Sequence, residues 1–199
     1  MAESTEPLSV SSVDVDSNLM VPQVLKAKIM LWTDVSYKDM EELEKLQSIP
    51  DLESALCRLF EINIPEPKRE ILLELYVQTV QFCRQHNFKK EQTSAMLSIV
   101  KHIHKANTET PLNNIEQCFE YSQELILCHS IRRPPFSINL FSLKEATSIL
   151  EYIHSNYIRH YKLYKHIFTP EVSLDLRPSY SGIPKEEEEE EAAMDNICC

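Results

Sequence analysis

The groups that could do chemistry in this sequence are spaced against it. His102 and His104 stand two residues apart. On a helix that separation points them to different sides, whereas a helical metal-binding pair sits four apart. Cys128 and His129 are adjacent and share no face, and no Cys-x-x-Cys occurs. Cys83 and Cys118 fall on apolar stripes, where a thiol behaves as a small hydrophobe. A cysteine nucleophile needs a lowered pKa and a positioned base. Glu41-Glu42 and the pair Glu70 and Glu74 read as solvated faces, with nothing to raise a carboxyl pKa for acid–base work. Glycine is nearly absent: Gly182 alone, among 199 residues. Phosphate-cradling loops, dinucleotide-binding turns and nucleophile elbows need backbone without a Cβ, so residues 1–170 contain none of them. The expectation is a chain that is no enzyme, with no catalytic, cofactor or metal residue.

One stretch combines charge with aromatic rings. From Tyr152 to Phe168 there is no acid; Arg159, Lys162, Lys165, His154, His160 and His166 interleave with Tyr157, Tyr161 and Tyr164. Three readings compete. Cations near a helix C-terminus suit the dipole while tyrosines pack in the core. Tyrosine and arginine also dominate interface hot spots, which favours a partner-binding face. A basic amphipathic helix over 149–168 would, alternatively, make a calcium-regulated adaptor that binds calmodulin or a similar sensor. The expected partner surface is Arg159, Tyr161, Lys162 and Lys165, with Leu143, Leu150, Ile153 and Tyr157 facing the chain's own helices. Three cations are too few to track phosphates, and the chain is acidic overall, so nucleic acid is not an expected partner.

The elements that would position these residues are helical. Eleven prolines punctuate the chain, and the apolar periodicity lies between them. The spacing predicts helices over 37–47 (capped by Ser36 with Asp39), 52–62 (capped by Asp51), 67–86 and 90–106. A further helix is predicted over 112–131, with Thr110-Pro111 as cap and first residue. Phe136 to Phe141 reads as an extended, strand-like crossing. Ser142 with Glu145 forms a capping box opening the longest helix, 142–168, roughly 40 Å at 1.5 Å per residue. Two apolar stripes run along it, which suits a central helix or one shared with a partner.

Charge marks the boundaries. The net charge is −11, yet residues 1–24 hold four acids and no base, 171–199 hold nine acids and two bases, and 25–170 balance at 18 of each. The fold class expected is all-α: an irregular helical bundle or short helix-hairpin array with one long C-terminal helix and disordered acidic ends. The domains are a disordered segment 1–24, a helical domain 25–170 and a disordered tail 171–199 that carries Glu186 to Glu191. No apolar run is long enough for a membrane span, and the first residues lack the regions of a signal peptide. The six cysteines therefore read as reduced cytosolic thiols. The terminal Cys198-Cys199 lacks the four-residue prenylation signal.

Three segments resemble a ciliary family: Met30 to Ser36, Arg133 to Ser137, and the long run from Phe141 through Tyr157, Tyr161 and Tyr164 to Pro170. The family is that of small flagellar central-apparatus subunits, and the resemblance spans about 28–170. It implies a non-enzymatic axonemal protein of motile cilia and the sperm flagellum, found in the axoneme and cytoplasm. It implies partners among a large scaffold and sister small subunits, with calmodulin or another calcium-binding ciliary protein as a further candidate. Relatives with a coiled-coil tail would continue as helix where this chain turns to proline and poly-glutamate.

Overall fold

A computed structural model describes residues 25–169; the acidic ends, Pro170 and the terminal cysteines lie outside the described residues. The helices are α1 (Tyr37–Lys45), α2 (Ile49–Leu59), α3 (Lys68–Gln85), α4 (Lys90–Thr108), α5 (Ile115–Ser130), α6 (Leu143–Asn156) and α7 (Tyr161–Phe168). A 3-10 turn, Ile158–His160, separates α6 from α7. Among the described residues there is no named strand, only an isolated bridge between Arg133 and Ser137. The all-α class holds. No helix among them is long and apolar enough to cross a membrane.

Local signals explain most boundaries. Ser36 and Asp39 form a reciprocal capping box at α1, and Ser142 and Glu145 form another at α6. Two expected starts move. Helix α2 begins at Ile49 behind Ser48, with Pro50 inside its first turn and Asp51 an ordinary first-turn acid. Proline is tolerated there because that N–H has no helical partner in any case. Helix α5 begins at Ile115 behind Asn114. Thr110 is buried in the preceding turn, where its Oγ1 accepts from the Leu112 N–H at 3.2 Å. The chain also ends α2 and α3 without glycine: Glu61 and Asn87 take positive φ (49° and 53°), and the next N–H reaches back five residues in each case.

Helix α4 is the axis of the molecule. It touches α1, α3, α5 and α7, and 13 of its 19 residues are buried. Six of those, Gln92, Thr93, Ser94, Ser98, His104 and Asn107, are polar, so a periodicity count undervalues this helix. Their groups are largely spent on neighbouring elements. Ser94 Oγ donates to the Val35 carbonyl (2.7 Å), and Gln92 Nε2 donates to the Leu140 carbonyl (3.1 Å). Residues 25–35 cross the bundle without helix and bury Met30 and Val35 completely. Asp34 pairs with Lys101 at 2.5 Å; burial pulls its carboxyl up, but Lys101, Ser98 and His102 together outweigh that and hold it below its ordinary value.

The crossing expected over 136–141 is shorter: residues 134–136 form an exposed turn closed by the Arg133–Ser137 bridge, and the chain crosses only after it. The N–H groups of Ile138, Leu140 and Phe141 donate to the carbonyls of Cys128 and His129, at 2.8–2.9 Å, and Phe141 is fully buried. This lays α6 back along α5. Helical structure then covers 143–168 as expected, but not as one rod. Neither proline nor glycine stands between 143 and 169. The interruption at Tyr157 (φ −115°, ψ −60°) therefore has a tertiary origin.

Candidate functional site

The geometry of the C-terminal run divides the expected partner surface, Arg159, Tyr161, Lys162 and Lys165, in two. Tyr157, Tyr161 and Lys165 are all buried and point inward onto the α4–α5 connection. Tyr161 Oη accepts from the Asn114 N–H (2.7 Å) and donates to Asn114 Oδ1 (2.6 Å). Asn114 Nδ2 in turn donates to the Ala106 carbonyl (3.0 Å). Asn107 Nδ2 donates to Tyr157 Oη (3.1 Å) and to the Tyr161 carbonyl (3.3 Å) beside the break between α6 and α7. Lys165 Nζ donates to the carbonyls of Asn107 and Thr110, both at 2.6 Å. A cation at the negative end of α4 satisfies carbonyls that the helix leaves unpaired. These three side chains clasp residues 104–114.

Tyr161 and Lys165 are therefore corrected from surface to interior. Lys165 has only 9% of its surface exposed, because its long apolar stem crosses the core while its ammonium finds helix-end oxygens. Burial holds that ammonium below its ordinary pKa. Arg159 and Lys162 are exposed, beside exposed Leu163 and His166. Of the four residues expected inward, Ile153 and Tyr157 are buried and Leu150 is half-buried, but Leu143 is 84% exposed. As the first residue of α6, Leu143 stands beyond the core that the rest of its stripe reaches.

The reading of 149–168 as a calmodulin target meets the same geometry. Its anchors Ile149, Ile153, Tyr157, Ile158 and Tyr161 are buried, and the helix is broken in the middle. A sensor that wraps one apolar face would have to pull this run out of the core.

Cys83, Cys118, His104 and His129 are packed inside the fold. Burial pushes the Cys83 thiol up to about 12 and Cys118 up to about 11, so both stay protonated at neutral pH. His104 is pushed down to about 4 by burial. Its Nδ1 lies 3.1 Å from Tyr157 Oη, which also accepts from Asn107 Nδ2. His129 is fully buried and bridges two segments: Nδ1 donates to the Leu125 carbonyl (2.6 Å), and Nε2 accepts from the Met30 N–H (2.8 Å). Burial lowers its pKa as well. His102 Nδ1 turns to its own helix at the Ser98 carbonyl, 2.9 Å away. Among the described residues, no three His, Cys, Asp or Glu side chains converge as a metal site.

The sequence reading missed Asn107, Asn114 and His129. Their signal was faint: each is a polar residue next to or within an apolar stripe, and only the partner across the fold shows what it bonds.

Residues 78–176, from within α3 through α7, match the family model CLAMP, described as flagellar C1a complex subunit C1a-32. The matched segment contains α4, the clasp and the C-terminal run, and over those residues the chain is similar to that subunit family.

Proposed function

We propose that this chain is a non-enzymatic structural and assembly subunit of the motile-cilium axoneme, serving ciliary and sperm flagellar motility through protein–protein contacts. The observation that carries the reading is the CLAMP match over 78–176, a segment described as part of a flagellar complex subunit. Within the family, the chain resembles cilia- and flagella-associated protein 119, most clearly over Arg133 to Ser137 and Phe141 to Pro170. Its partners would be a large scaffold and sister small subunits. The architecture suits such work: a helix-centred core clamped by buried hydrogen bonds presents surfaces at fixed distances.

The test is a tagged full chain in a motile ciliated cell. It is expected to fractionate with axonemes that contain the central pair and to be lost from axonemes that lack it. A tag confined to the soluble fraction overturns the reading. Arg159 and Lys162 remain the proposed partner surface on the C-terminal run. Arg159→Ala with Lys162→Ala is expected to weaken co-purification of axonemal partners, and unchanged recovery removes those two residues from the interface.

A further inference from the structure

We propose that the groove between α5 and α6 seats an amphipathic α-helix of another protein, lying along both helices as the third member of a bundle. The location of that protein rests on the central-apparatus reading above; the groove does not. Helices α5 and α6 run antiparallel, with Phe119 near His154 at one end and Ile131 beside Leu143 at the other. Between them is an open groove of about 450 Å³.

Its floor is Ile126 and Ala146, both buried. Its walls are Leu127 (54% exposed), Ile131 (50%), Leu143 (84%) and half-buried Leu150. The hydroxyls in the lining are already used. Ser130 Oγ donates to the Ile126 carbonyl (2.7 Å), and Thr147 Oγ1 donates to the Leu143 carbonyl (3.0 Å). An occupant thus gains chiefly by burying apolar surface. Small side chains at 130, 146 and 147 let a third backbone approach to the usual ~8–10 Å between helix axes. The wall from Gln123 to Ile131 is roughly 12 Å long at 1.5 Å per residue. That length accepts apolar residues at three- and four-residue spacing over a little more than two turns.

Charge selects the occupant. Arg132, Arg133 and Lys144 are exposed where α5 ends and α6 begins. Glu116, Glu120 and Glu151 are exposed toward the opposite end. Among the described residues, none of these six is in an ion pair. A neutral groove bracketed by opposite charges fits a helix that is acidic at one end and basic at the other. Helices favour acids in the first turn and bases in the last, so this one would run antiparallel to α5 and parallel to α6. A second copy of this chain fits worse, because two identical hollows laid face to face leave each other unfilled.

The experiment places a photo-crosslinking phenylalanine analogue at Leu127 or Leu143 of the full chain, expressed in motile ciliated cells without the endogenous protein. Leu163, exposed on α7, is the control position. The expected adduct joins both groove positions to one segment of a different protein. Its apolar residues fall three and four apart, its acids lie toward the Leu143 side and its bases toward the Gln123 side. Adducts only to this chain's own peptides, adducts to a proline-broken segment, or no adduct at all overturn the proposal. If the adduct forms on a chain that never enters axonemes, the central-apparatus reading falls and the groove stands. In parallel, Leu127→Asp with Leu143→Asp changes only exposed side chains. It is expected to lower recovery of the crosslinked protein about tenfold, in keeping with interface anchors, at an unchanged melting temperature. Undiminished recovery also overturns the proposal.

Discussion

Leu143 and Lys165 lie near opposite ends of one helical run, and each occupies the place that the other's chemistry suggests. The leucine is 84% exposed; the lysine is 9% exposed. The lysine is inside because carbonyls from the end of α4 and from the connection to α5 converge there. Its ammonium replaces water for two oxygens that no N–H reaches. The leucine is outside because it stands on the side of α6 that walls the groove against α5, between buried Phe141 and Ala146. Burial here follows what a residue can pair with at its exact location. The lesson is that an apolar stripe marks a face, and a buried charge marks a junction.

The comparison can be broken from its larger side first. Lys165→Met keeps the stem and removes the donor, leaving the Asn107 and Thr110 carbonyls without it. A loss of roughly 3 kcal/mol is expected in urea unfolding, at the upper end for hydrogen bonds to a charged group. A loss below 0.5 kcal/mol would mean that the lysine is a passenger. Tyr161→Phe removes both bonds to Asn114 and should cost about 2 kcal/mol, seen as faster amide exchange over 109–115.

Acid should weaken the same interior. His104 and His129 have folded-state pKa values below the unfolded value, His104 at about 4. The unfolded chain then binds more protons through the window between them, so stability rises with pH there. Their contribution is whole above about pH 6.5 and is lost progressively as pH falls toward 4. Urea midpoints across pH 4–8 check this, and a midpoint that is flat or rises on acidification would contradict it.

The exposed side should respond less. Ser142→Ala removes the cap that starts α6 and is expected to cost about 1 kcal/mol, with fraying confined to the first turn. Leu143→Lys should change monomer stability by less than about 0.5 kcal/mol. If it destabilises by more, Leu143 is packed in solution and its contrast with Lys165 narrows.

Some of this was readable directly. The capping boxes at Ser36 and Ser142 hold because a cap is decided by residues three apart on the chain. The scarcity of glycine excluded whole classes of loop for a similarly local reason. The sequence-based expectation failed where polar residues were weighed without knowing their neighbours. Gln92, Ser94 and Ser98 count as polar in the helix expected over 90–106, yet α4 is the most enclosed helix among the described residues. Thr110 looked like a cap and instead fills a turn beneath Lys165.

By itself the sequence determined that this protein is helical, where most helices lie, and that its charge sits at the ends. Those follow from periodicity, capping and composition, which act within a few residues. Tertiary structure alone decided that the C-terminal run breaks at Tyr157, that Tyr161 and Lys165 turn inward, and that a groove opens between α5 and α6. Each depends on hydrogen-bond partners and packing about 50 residues away or across a helix pair. Such contacts leave no periodic trace on the chain, because the two partners are matched to each other and not to their own neighbours.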